Sequence, residues 1–108
     1  MAIVGAQKEI TAAATSWEGV EARPHRFGGV EYTIGRREIG HIHGDYQVDI
    51  PFPVRVREEL VAAGDAELHH VLPESGWITV RIRQRGDVAH AIGLLEKSYR
   101  LARRQRRR

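Results

Sequence analysis

The chain has 108 residues, enough for one domain with its own core, and no cysteine, so disulfides, thiolate metal sites and cysteine nucleophiles are excluded. Its formal charge of +3 hides an asymmetry: six of the 17 Lys and Arg lie between Arg100 and Arg108, leaving 11 basic against 14 acidic residues elsewhere, about −3. A mildly acidic domain (residues 1–100) with a basic arginine-rich tail (101–108) is therefore expected, and a nucleic-acid surface within the domain itself is disfavoured.

Residues 2–17 read as the first helix, with Ile3, Ala6, Ile10, Ala13 and Trp17 at three- and four-residue steps and Gly19 as the stop. Lys8 and Glu9 stand where a signal peptide would be apolar, and no apolar run reaches the roughly 20 residues of a membrane span. The expectation is a soluble, cytoplasmic protein that does not engage a membrane. Residues 20–26 contain Pro24 and predict an edge strand. Gly28-Gly29 signals a hairpin turn, and Val30, Tyr32 and Ile34 alternate as in a half-buried strand.

The next stretch, REIGHIHGDYQVDI from Arg37 to Ile50, concentrates the reactive side chains. At a two-residue period His41 and His43 share a strand face with Ile39, opposite Gly40 and Ile42, and Asp45 continues the row after Gly44. Tyr46, Val48 and Ile50 alternate with Gln47 and Asp49. Pro51 and Pro53 end the meander, and a second helix is expected over about 53–63, stopped by Gly64. An extended piece, 66–72, follows. In it the adjacent His69 and His70 should point to opposite sides. Ile78, Val80 and Ile82 then mark the clearest strand, facing Leu95 and Tyr99 of a last helix that begins near Gly86, with Asp87 as its N-cap. On the other side of that strand stand Trp77, Thr79 and Arg81. Helices outside bunched antiparallel strands give an α+β class: a two-layer single domain with about five to six strands and three helices packed on them.

GVEARPHRFGGVEYTIGRREIGHIHGD, RVREELVAAGDAELHHVLPESGW and the closing LLEKSY resemble the small bacterial "luciferase family" domain, over roughly residues 17–101. The segment from Trp77 to Ser98-Tyr99 is similar, more distantly, to MmcQ/YjbR-like domains, which implies a compact α+β fold. The first resemblance emphasises Gly40, His41, His43, Gly44, His70, Pro73, Gly76 and Trp77 without giving any of them a role. Its name implies no light emission, and the residues offer no identifiable flavin or luciferin site, so no cofactor is expected.

His41 and His43, with Asp45, His70 and Trp77, form the candidate ligand-binding set. The leading expectation is a small binding domain whose histidine-lined polar pocket takes a small or anionic ligand. Structural histidines hydrogen-bonded to backbone or carboxylates are the plain alternative for the pair. A histidine-dependent enzyme is a second function, acting with or without a metal on His41, His43 and a third group from Asp45, His25 or His70. A nucleic-acid accessory role through the C-terminal arginines is a third.

Overall fold

The computed structural model describes residues 3–106 and gives an α+β domain of three helices and six antiparallel strands. Helix α1 spans Ala6–Thr15, α2 Val54–Ala62 and α3 Arg85–Arg106. The strands are β1 Val20–Pro24, β2 Val30–Ile34, β3 Arg37–His43, β4 Gln47–Pro51, β5 Glu67–Leu68 and β6 Trp77–Arg81. They lie in the order β1-β2-β3-β4-β6-β5, so the first four form the expected meander and the short β5 closes the far edge. No helix among the described residues is long and apolar enough to cross a membrane.

One face of the sheet carries the core. Tyr32, Ile42, Val48, Ile50 and Ile78 are fully buried, as are Ile10 of α1 and Leu95 of α3. The small residues Ala6, Ala14 and Ala91 line the helical side of this layer. Tyr32 ends in a 2.7 Å hydrogen bond with Thr11 of α1, and burial pushes its phenol up to about 12 against the pull of that bond. Tyr99 donates to the Glu18 carbonyl at 2.7 Å, tying α3 to the turn after α1. Helix α2 packs beside β5 and β6.

Two local readings are corrected, and the last helix is longer than its pattern suggested. Helix α1 begins after Gly5, in the left-handed region at φ 85, with Ile3 and Val4 outside it; residue 2, the expected start, lies outside the described residues. Asp87 sits in the first turn of α3 and reaches back to accept from the Arg83 and Gln84 amides at 2.8 and 3.1 Å; it caps from inside the helix. Helix α3 continues through Arg106, so the segment expected as a tail starts as helix, with Ala102 packed in the core; Arg107 and Arg108 lie outside the described residues.

The most consequential departure is in β3. Tyr32 pairs with Gly40 but Thr33 pairs with Glu38, so Ile39 is an extra residue, a β-bulge. Ile39 joins the hydrophobic core instead of following His41 and His43, and Glu38 takes its place beside the histidines. Gly40, at φ 153, faces α3 so closely that a Cβ there would collide with Leu95.

Candidate functional site

The second face of the sheet is polar, and its register builds the site. Glu31 of β2 pairs with His41 of β3, His41 with Asp49 of β4, and Asp49 with Thr79 of β6. Because directly opposed residues in neighbouring strands place their side chains on the same face, this is one transverse row. His43 lies one step along, opposite Gln47, and Trp77 lies opposite Pro51.

Asp49 is the hub. It is 1% exposed, and its Oδ1 accepts from Thr79 Oγ1 at 2.7 Å and from Gln47 Nε2 at 3.2 Å. Its Oδ2 meets His41 Nε2 at 3.2 Å and His43 Nε2 at 3.3 Å, with His69 Nε2 at 3.8 Å. A buried carboxylate resists ionisation, yet the bonds from His41, Thr79 and Gln47 outweigh burial and hold it down at about 2.

His41 is bonded at both ring nitrogens, its Nδ1 lying 2.6 Å from Glu38 Oε2. Burial opposes its charge, but the hydrogen bonds to Asp49 and Glu38 prevail and push it up to about 9. His41 is therefore an imidazolium held between two carboxylates at neutral pH. His43 behaves oppositely, because burial and then the neighbouring His41 charge lower its pKa. An acidic and a neutral imidazole thus stand 4.8 Å apart, ring centre to ring centre.

His25, at the end of β1, lies on this pair. Its ring stacks on His41 at 4.1 Å between centroids, and its Nδ1 is held 2.9 Å from Glu31 Oε1. One ligand atom from each of His25, His41 and His43 falls within 4.8 Å of the other two. Of the third groups expected to converge on the pair, His25 does so. Asp45 does not: the β3–β4 turn swings it to α1, where it accepts from the Gly5 and Gln7 amides at 3.2 and 2.8 Å, an anion at a helix N-terminus. Alternation does not carry through a turn, so Asp45 leaves the row.

The loop between β5 and β6 supplies the far wall. Arg57 of α2 fixes it by donating to the Pro73 and Ser75 carbonyls at 2.6 and 3.1 Å. His69 enters the cleft, and its Nδ1 accepts the Val71 and Leu72 amides, so its proton resides on Nε2. Burial lowers its pKa as well, assisted by the nearby His70 and opposed by Asp49. His70 is exposed, with its ring stacked on His69 at 5.0 Å. The two rings do not point apart, because strand geometry ends at Leu68.

His25, Arg26, Phe27, His41, His43, His69, Leu72 and Trp77 line a cleft of about 340 Å³. The Trp77 ring stands 5.2 Å from the His41 ring, centroid to centroid. Phe27 stands at the rim in the left-handed region, φ 57, and is 95% exposed. Sequence reasoning missed Asp49, Glu38, His69 and Phe27. For Asp49 a signal existed: it alternates with Val48 and Ile50, and the short β3–β4 turn sets it opposite His41.

A family model described as "Luciferase domain" matches residues 36–98, which span Glu38, His41, His43, Asp49, His69 and Trp77 but not His25 or Phe27. No curated protein and no solved structure matches the chain.

Proposed function

The chain belongs to the Luciferase domain family, and from the chemistry of its cleft we propose that it is a binding domain for a small ligand that carries an anionic group. The observation that supports this is the convergence of four imidazoles and Trp77 on one cleft of about 340 Å³, a volume at the lower end for small-molecule sites. The ligand's anionic group is received by His69, a neutral donor whose proton is on Nε2, and by Arg26 at the rim. Its apolar part lies against Trp77, Leu72 and Phe27. A bulky residue in the left-handed region costs about 1–2 kcal/mol, and an exposed Phe27 recovers none of it by burial. An aromatic kept there at a cost to stability fits a contact to a ligand.

A second reading, general acid–base catalysis, is favoured by one observation. His41 holds a proton beside a neutral His43, which gives an acid and a base within one cleft.

Trp17 stacks on Tyr99 in the helical layer, so a Trp17→Phe chain leaves Trp77 as the sole tryptophan reporter. Titration of that chain with aliphatic and aromatic carboxylates and with inorganic phosphate should give a saturable change in emission for at least one class. His69→Ala and Phe27→Gly should each weaken it about tenfold, the loss of roughly 1.4 kcal/mol. If no compound perturbs Trp77 at millimolar concentration, the binding reading fails.

A further inference from the structure

We propose that His25, His41 and His43, joined by Asp49, hold a divalent transition-metal ion of the zinc type at the base of the cleft. This rests on the cleft being the functional site and names the group through which it engages an anion. The argument begins with which nitrogens are available. Nδ1 of His25 is committed to Glu31 at 2.9 Å and Nδ1 of His41 to Glu38 at 2.6 Å. Nε2 of His25 is thus left to bind a metal, and Nε2 of His41 faces only Asp49, itself a member of the proposed set; the carboxylate behind each ring fixes the tautomer and raises the basicity of the ligand. That carboxylate–histidine pairing is the usual support of a metal-bound imidazole.

The geometry agrees. With metal–ligand bonds of about 2.0–2.1 Å, donors around a tetrahedral ion stand about 3.3 Å apart. Asp49 Oδ2 lies 3.2 Å from His41 Nε2 and 3.3 Å from His43 Nε2. One ligand atom from each of the three histidines lies within 4.8 Å of the other two, so the rings must draw together around the ion. An ion seated there takes the place of the hydrogen shared between His41 and Asp49. Charge also balances, since Asp49, Glu31 and Glu38 offset a dication. His69 is not in the set, because its Nδ1 accepts two backbone amides and its Nε2 carries hydrogen. It is placed instead to donate to a ligand on the open side, where Phe27, Leu72 and Trp77 bound the cleft. Imidazole-rich, sulfur-free donor sets suit zinc, copper and nickel ions, and the absence of cysteine leaves no thiolate competitor.

The test is titration of the untagged full chain with zinc, followed by calorimetry, and with cobalt, followed by visible absorption. One equivalent of zinc and a d–d spectrum of low coordination number are expected. His25→Ala and His43→Ala should each weaken zinc at least about 100-fold, and Glu38→Gln about 10- to 100-fold. His90→Ala, at a half-buried histidine outside the cleft whose ring is bonded to the Asp65 carbonyl, should change nothing. Zinc affinity retained in folded His25→Ala and His43→Ala chains overturns the assignment, as does failure of the folded wild-type chain to take up zinc. Failure of zinc uptake in a chain whose Trp77 emission still responds to carboxylates removes the metal and leaves the binding pocket. Zinc uptake without any carboxylate or phosphate response does the reverse.

Discussion

Asp49 shows how one side chain organises a surface. Four polar side chains approach its two oxygens within 3.3 Å, so the group is stabilised as an anion although almost none of it meets water. Its partnership with His41 sets the pH dependence of the metal-free fold. The His41 pKa is raised from 6.5 to about 9, so its contribution is fully present below 6.5 and is lost as pH rises through 9. The Asp49 pKa is lowered from 3.8 to about 2, so its contribution is present above 3.8 and is lost as pH falls through 2. The lowered His43 and His69 pKa values work the other way, since protonating those rings below 6.5 disfavours the fold, so metal-free protein should be most stable near pH 6.5 and should lose about 3 kcal/mol on going to pH 10. The two shifts describe one shared contact and do not add. Urea unfolding across this range checks the point, and Asp49→Asn should shrink both arms. An alkaline arm unchanged in that variant would show that Asp49 does not hold the His41 proton.

The last helix carries a lesson about charge and packing. Six arginines in nine residues suggest a solvated, self-repelling end, and the expectation of a basic tail followed from that. The fold uses part of it as structure. Ala102 is 1% exposed against the core, and Arg103 donates to the Tyr99 hydroxyl at 3.2 Å and to Glu18 at 3.0 Å. Arg100 pairs with Glu96 one turn back. Removing residues 105–108 should therefore leave thermal stability unchanged within about 2 °C. Removing 102–108 should lower the midpoint by about 5–10 °C, the equivalent of roughly 1–2 kcal/mol in a domain of this size. Equal midpoints for the two truncations would return the whole segment to the status of a tail. What the sequence concealed here is that alanine, with no long side chain, marks the buried side of a helix only once its neighbours are known.

Over the whole molecule, the division between a covered and an open sheet face was the legible part. Alternation in β2, β4 and β6 separates Tyr32, Val48, Ile50, Ile78 and Val80 from Thr79 and Trp77 without reference to coordinates, and it fixes an antiparallel α+β layer. His41 and His43 fall on the open face for the same reason. The convergence was not legible. His25 reaches His41 because β1 and β2 pair in one register, His69 because a loop pinned by Arg57 folds back, and neither follows from spacing along the chain. Nor was the bulge at Ile39 visible, since one inserted residue leaves no mark in composition or propensity. Its consequence is for chain length. Arg37 and Glu38 run one count out of phase with the rest of β3, so the two sides of the insertion respond differently to single-codon deletion. Losing Ile39 would restore an unbroken ladder, keep Glu38 beside His41 and cost only a core side chain, about 2–5 kcal/mol. Losing Gly40 would also close the ladder, but it would drive Ile39 into the space that Leu95 fills. The first deletion should give a folded, weakened domain by circular dichroism and the second none, although each removes one residue from the same turn of the same strand.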